Sequence, residues 1–342
     1  MAISATHLML ASRPQTEVSA SNFRLEQVSL GPLQPGEVLV KVIYLSIDPA
    51  IRMYISHRKT YWKQVAIGEA VPTLGIGRVV DSASKKYKPG DLVRGMMACG
   101  DLVVVPDTEL LSIPPMVKHL PMLMGPLGHH GVTAYVGLVN VGEVKKGDTV
   151  LVSVAAGATG SAVVQVAKLL GCRVVGIVGT DEKRQWVQRM LQADCVNYNE
   201  ADSLSVQLRA LCPRGVDVYW DNVGGSSLDA ALCLMNKGGR AVLCGVISGY
   251  DRKVEEPCFN LHMAISKSII LRGFIVRNYV KDYKAAVTAL MGWAKQGMLV
   301  SKETIIEGLA NVPEGLRMVF RGANIGKTIV QVSEDPLQDP KL

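Results

Sequence analysis

The chain has 342 residues, which suggests about two domains. Apolar residues make up 48% and charged residues 20%, which excludes wholesale disorder; only 5% aromatics alongside 33 glycines favours α/β packing over an all-β sandwich. The formal charge is +7, but the basic residues are scattered, with pairs such as Lys85-Lys86 and Lys145-Lys146 as the longest pure runs, which argues against a nucleic-acid partner.

The N-terminal part reads as short strands separated by turns. A β-branched run at 38–43 follows the turn Gln34-Pro35-Gly36-Glu37. Val79-Val80 precedes the turn at 87–91, Leu92-Val93 follows it, and Val103-Val104-Val105 stops at Pro106. Such punctuation suggests a small barrel-like β domain. The pattern changes near residue 128. A helix is expected over 128–142 and a turn over 145–148. Strands are then expected at 149–154, 173–178, 195–198, 216–220 and 240–244, with helices at 161–170, 182–191, 203–211 and 227–235 between them. That alternation predicts a doubly wound parallel sheet with helices on both faces. A strand at 269–275 and a helix at 281–296 extend it. After Gly297 short strands return and end at 327–332. The expected boundaries are therefore 1–127, 128–296 and 297–342, with the Rossmann-type unit inserted into the β domain.

The uncharged stretch 149–167 is not read as a membrane span, because Gly157-Ala158-Thr159-Gly160 breaks it into a strand, a turn and a helix. No membrane association is expected, and no export signal is read in the first sixteen residues. The seven cysteines (Cys99, Cys172, Cys195, Cys212, Cys233, Cys244, Cys258) are odd in number, widely spaced and without a C-x-x-C. They read as reduced thiols packed as small apolar residues, which suits a cytoplasmic protein.

The chemistry begins at Ala155-Ala156-Gly157-Ala158-Thr159-Gly160, between an expected strand and an expected helix. A dinucleotide loop needs small residues there, so that the backbone turns tightly, approaches the diphosphate and presents helix N-terminal N–H groups. Ala155 occupies the first glycine place of the G-x-G-x-x-G pattern. The next strand ends Gly176-Ile177-Val178-Gly179-Thr180 and is followed by Asp181-Glu182-Lys183-Arg184. Gly179 at the tip leaves room for a 2′-phosphate, where an NAD site tends to carry an acid. Asp181 and Glu182 also suit a helix first turn through the dipole. Lys183 is either a phosphate cation or a solvated helix lysine.

Further motifs carry a family resemblance over nearly the whole chain. They are Leu10-Ala11-Ser12-Arg13-Pro14 with Asn22-Phe23-Arg24-Leu25-Glu26, Leu45-Ser46-Ile47-Asp48-Pro49, Gly131-Val132-Thr133-Ala134-Tyr135, the loop above, and Asp181-Glu182-Lys183. They continue with Asp221-Asn222-Val223-Gly224-Gly225, Cys244-Gly245-Val246-Ile247-Ser248-Gly249-Tyr250, Ile306-Glu307-Gly308-Leu309 and Asn324-Ile325-Gly326-Lys327. Together they resemble the zinc-independent medium-chain dehydrogenase/reductases, in particular the prostaglandin reductase, alkenal double-bond reductase and curcumin reductase group. Because the first motif starts at residue 10, a cleaved transit peptide is not expected.

The resemblance implies a GroES-like β-barrel domain built from both chain ends, a Rossmann domain, a homodimer, and NADPH-dependent reduction of the C=C bond of α,β-unsaturated ketones and aldehydes. By the same resemblance Lys183 matches the position that holds the 2′-phosphate, with Tyr198 beside it. Ala156, Gly157, Ala158, Thr159, Gly160, Gly179, Asn222, Cys244, Gly245, Ser248, Phe274, Ile275, Val276 and Asn324 match positions lining the cofactor. Tyr250 matches the tyrosine near the nicotinamide ribose and the substrate carbonyl. Two departures stand out. The group usually has a large aromatic residue after Asp48-Pro49 in the substrate pocket, and this chain has Ala50; many members have Met-Pro before Gly131, and this chain has His129-His130.

Hydride transfer to an enone β-carbon puts negative charge on the carbonyl oxygen, so a donor must face that oxygen. The Tyr250 hydroxyl is the expected donor, with the nicotinamide ribose hydroxyl as a second candidate. Tyr54 and Tyr61 near Ala50 either contact substrate or pack. No metal is expected: Leu74-Gly75-Ile76-Gly77 offers no ligand, and His57, Cys99 and His129-His130 are not at ligand spacing. The rival readings are a quinone oxidoreductase on the same scaffold and a catalytically silent NADPH-binding protein.

Overall fold

The computed structural model describes residues 3–58, 60, 62–201, 203–251 and 257–338. Contacts divide the chain into two compact units, Met1–Met124 with Glu303–Leu342, and Gly125–Lys302. The first unit opens with β1 (Ile3–Leu10) and β2 (Phe23–Leu30), an antiparallel pair. Then come β3 (Glu37–Ser46), α1 (Ala50–Tyr54), β4 (Pro72–Ser82), β5 (Leu92–Ala98), β6 (Leu102–Pro106) and β7 (Leu110–Ser112). The runs at 38–43, 79–80, 92–93 and 103–105 fall within β3, β4, β5 and β6. β3 is the spine, paired antiparallel with both β4 and β6. It is buried along its length except at Lys41 and Glu37, so its run of aliphatics is continuous rather than alternating. Val38, Val40, Val42 and Leu45 enter one core with Leu8 and Leu10 of β1.

The second unit begins with the turn in which Gly125 O accepts the Gly128 N–H at 3.1 Å. The helix expected over 128–142 divides into α2 (His129–Val136) and a π turn at Gly137–Val141. Next are β8 (Thr149–Ser153), α3 (Ala158–Leu169), β9 (Arg173–Val178), α4 (Asp181–Met190), β10 (Asp194–Asn197), α5 (Leu204–Leu211) and β11 (Val216–Asp221). The rest is α6 (Gly225–Leu234), β12 (Met235–Leu243), α7 (Ile247–Tyr250), α8 (His262–Ser266), β13 (Ile270–Gly273) and α9 (Tyr283–Lys295). The strands run parallel in the order β10-β9-β8-β11-β12-β13, the Rossmann order, with the direction of winding changing between β8 and β11. β12 starts five residues before the strand expected at 240. Its pairing to β11 skips from Met235 to Arg240, so the segment containing Gly238 and Gly239 bulges and only the last four residues are regularly paired. The strand expected over 269–275 shortens to β13, because Val276–Asp282 coils into a 3₁₀ turn. Residues 297–302 stay with this unit rather than with the returning tail. Gln165 of α3 explains this in part: its amide accepts the Val300 N–H at 2.6 Å and donates to Val300 O at 3.1 Å.

The chain then re-enters the first unit through β14 (Glu303–Glu307), α10 (Val312–Phe320) and β15 (Lys327–Gln331). β15 pairs antiparallel with the end of β3, Ile329 opposite Ser46, and parallel with β14. Two of the sequence motifs meet here. Lys327 is only 2% exposed, and its ammonium donates to Ile47 O at 2.5 Å and to Asp48 Oδ1 at 2.9 Å. Asp48 also accepts from the Ser46 hydroxyl. All seven cysteines are free thiols, and burial pushes Cys99 and Cys195 up to about 12. Among the described residues no helix is long and apolar enough to cross a membrane.

Candidate functional site

The loop after β8 brings the start of α3 close to the end of the strand. Val154 takes a left-handed conformation at φ 54°, and the Gly157 N–H closes the turn onto Val154 O at 2.9 Å. α3 begins at Ala158, three residues before the expected start, with Gly157 as its N-cap and no side chain capping it. The first-turn N–H groups, the positive end of the helix dipole, therefore lack a side-chain acceptor. A Cβ on Gly160 would lie 2.0 Å from Val154 O, so that position admits only glycine. Ala155, in the first glycine place, is fully buried and packs over Gly176 of β9, where an added Cβ would lie 2.6 Å from its own. The missing glycine is thus balanced by one on the neighbouring strand. Thr159 Oγ1 lies 2.9 Å from Nδ1 of His130 on α2.

At the end of β9, Gly179 faces Tyr198: a Cβ on Gly179 would come within 2.6 Å of the tyrosine hydroxyl. Thr180 caps α4 by accepting the Lys183 N–H at 3.3 Å. Asp181 of this loop is engaged. Asp181 accepts from Asn197 at 3.1 Å and pairs with Arg184 at 3.0 Å, and Arg184 also pairs with Glu200. The Lys183 ammonium is half-buried, and that burial lowers its pKa, with Glu182 opposing. Tyr198 thus stands against Gly179, and Lys183 follows in the first turn of α4.

The ends of β11 and β12 are tied by Asp221. Its buried Oδ1 accepts from Tyr219 OH, Val223 N and Gly224 N, each at 2.9 Å, while its backbone O accepts from Cys244 N at 2.9 Å and Gly245 N at 3.1 Å. Burial pushes this carboxyl up, and the Gly224 and Val223 N–H groups pull it back. Asn222 turns its amide into the sheet, donating to Ser153 O at 2.6 Å and accepting from the Trp220 indole at 3.1 Å. Its side chain thus bridges β8 and β11 at the point where the winding reverses. Asp221 and Ser153 were not singled out as site residues from sequence. The signal for Asp221 was present, since an acid that ends an otherwise apolar strand before Asn-Val-Gly-Gly invites the N–H groups of its own turn.

Cys244 and Gly245 sit in the loop beyond β12, and surrounding atoms together with Asp221 push the Cys244 thiol up to about 12. Ser248 donates to Val223 O at 2.6 Å. The Tyr250 hydroxyl lies 3.4 Å from Val246 N, over Gly245. Phe274 packs edge-on against Trp220 with ring centroids 5.8 Å apart, Val276 is buried, and Ile275 is half-buried. Phe274 and Val276 therefore point their side chains into packing. The remaining sequence-based positions belong to the first unit. Ala50 opens α1, half-exposed. Tyr54 stacks on Trp62 at 5.2 Å. Asn324 is buried and donates to Gly326 O at 2.9 Å, shaping the turn into β15. Tyr61 lies outside the described residues.

The chain matches two family models, described as the N-terminal domain of oxidoreductase over residues 6–113 and zinc-binding dehydrogenase over residues 158–292. Among the described residues no three His, Cys, Asp or Glu side chains gather to hold a metal ion. The chain is 39% identical to a Bacillus subtilis protein named as the NADP-dependent oxidoreductase YfmJ, over 98% of this chain and 99% of that one. It is 35% identical to the NADPH-dependent curcumin reductase of Escherichia coli, over 96% of each. It is 38% identical to an NADP(+)-dependent 2-alkenal reductase of Nicotiana tabacum, over 89% of this chain and 90% of that one. Among solved structures, CurA of Vibrio vulnificus in complex with NADPH superposes with a TM-score of 0.90 at 34% identity, covering 97% of this chain and all of that one.

Proposed function

This chain belongs to the medium-chain dehydrogenase/reductase group of oxidoreductases, and from that premise we propose that it uses NADPH to reduce the C=C bond of α,β-unsaturated ketones and aldehydes. The observation that carries the cofactor choice is the end of β9: glycine at the tip, Asp181 already paired with Arg184, and a half-buried lysine in the first turn of α4. The names of the curcumin and alkenal reductases support the substrate class. Bound NADPH would supply the hydride.

The protein's part is placement and electrostatics. The first-turn N–H groups of Ala158, Thr159 and Gly160 would hold the diphosphate, with Gly160 letting α3 start tight against the loop after β8. Lys183 would hold the 2′-phosphate, with Tyr198 beside it. Asp221, Asn222 and Ser153 fix the ends of β8, β11 and β12. The Tyr250 hydroxyl donates to the carbonyl oxygen as negative charge develops there. Steady-state NADPH consumption across short alkenals, aryl enones and quinones tests the reading. Preference for quinones would assign the rival acceptor, and tight NADPH binding with no turnover on any acceptor would overturn the enzyme assignment.

Two further results are expected. Lys183→Ala should raise the KM for NADPH and leave NADH nearly unchanged. A charge-assisted phosphate contact is worth about 1.5–3 kcal/mol, so the selectivity ratio should fall at least about tenfold. Equal kcat/KM for the two cofactors in the unmodified protein would contradict it. Ala50→Tyr should lower kcat/KM for bulky aryl enones more than for short alkenals, with NADPH affinity unchanged, since pockets discriminate by filled apolar volume at about 1–3 kcal/mol per methylene. An equal effect on both acceptor classes would remove residue 50 from the pocket.

A further inference from the structure

The sequence places two histidines, His129 and His130, at the start of α2, and the structure gives the second a partner. His130 is 8% exposed on the first turn of α2, and its Nδ1 is 2.9 Å from the hydroxyl of Thr159, the second residue of α3. The first turn of α3 holds two hydroxyls. Ser161 donates its own proton back to Ala158 O at 3.2 Å. Thr159 is the one whose proton remains to be assigned.

A hydroxyl has one proton and two lone pairs, and a neutral imidazole has one N–H and one acceptor nitrogen. If Nδ1 is the acceptor, the Thr159 proton is consumed inside the protein. If Nδ1 carries the proton, Thr159 accepts from His130, and its own proton is available to an anion at the helix end. A diphosphate only accepts, so its arrival selects the second arrangement. We propose that His130 is a positioning residue for the cofactor diphosphate, acting through Thr159: it occupies the hydroxyl's lone pair and leaves the hydroxyl proton for the phosphate. This rests on the NADPH reading above. The contribution is common to NADPH and NADH, which share the diphosphate, and so is separable from that of Lys183.

The test is direct fluorescence titration of NADPH and NADH into the purified protein and four variants, with melting of the cofactor-free forms alongside. His130→Leu and Thr159→Val should each weaken both cofactors about threefold to tenfold. Their NADPH/NADH ratio should be unchanged. The double variant should be no weaker than either single one, because both remove the same contact. His130→Asn, which can still donate to the threonine, should recover most of the affinity. Unchanged affinity in His130→Leu, or losses that multiply in the double variant, would overturn the inference while leaving the NADPH reading intact. Affinity losses that merely follow a lowered melting temperature, with no recovery in His130→Asn, would also overturn it. Failure of the unmodified protein to bind NADPH would overturn the reading itself, and this inference with it.

Discussion

Tyr250→Phe should lower kcat about a hundredfold for short alkenals and bulky aryl enones alike, because removing one donor from a developing oxyanion costs about 10²–10³ in rate. The change deletes one oxygen and keeps the ring, so packing is largely preserved. The hydroxyl accepts the Val246 N–H at 3.4 Å, a long contact whose loss costs little. NADPH affinity should therefore hold while kcat falls, and the size of the fall should not depend on the acceptor. That pattern separates Tyr250 from Ala50, whose replacement should act on acceptor size. A variant with unchanged kcat would show that the donor is another group, with the nicotinamide ribose hydroxyl the first to examine.

Lys327→Met should destabilise the folded chain by about 3 kcal/mol, near the lower end of what breaking a buried ion pair costs. The lysine is almost fully buried and Asp48 partly so, with side-chain exposures of 2% and 18%. The variant would take the Lys327 ammonium away from Asp48, which keeps its Ser46 bond, and from Ile47 O. Burial lowers the Lys327 pKa, and the Asp48 carboxylate opposes that shift. Chemical denaturation at fixed protein concentration reads the effect as a lower midpoint. Lys327→Met combined with Asp48→Asn should recover part of the loss, because the group that faced the ammonium then carries no charge. A midpoint within error of the unmodified protein would show that β15 is held to β3 by its backbone ladder and aliphatic side chains alone.

In the second unit the strands and helices were legible in the sequence because each βα repeat carries its own period and its own punctuation. Buried parallel strands such as Thr149–Ser153 read as apolar runs, and glycines mark the turns between them. The phosphate loop was legible for the same reason, since its chemistry is made by the backbone of contiguous residues. The pair β1 and β2 was not, because 12 residues separate its arms, Ala11 to Asn22, and no tight turn announces the pairing. β12 was placed late because a bulge interrupts its pairing, which depends on the neighbouring strand rather than on its own residues. The largest gap lies among side chains. By the family resemblance Asn222, Phe274 and Asn324 match positions lining the cofactor. The structure turns the Asn222 amide into β8, the Phe274 ring onto Trp220 and the Asn324 amide onto its own turn. Likewise Lys327 and Asp48, 279 positions apart, form a buried pair that neither motif implies. Composition, period and loop chemistry are local and survive in one dimension. Which polar atom spends its hydrogen bonds inside the protein, and which keeps them for a ligand, depends on neighbours that only folding supplies.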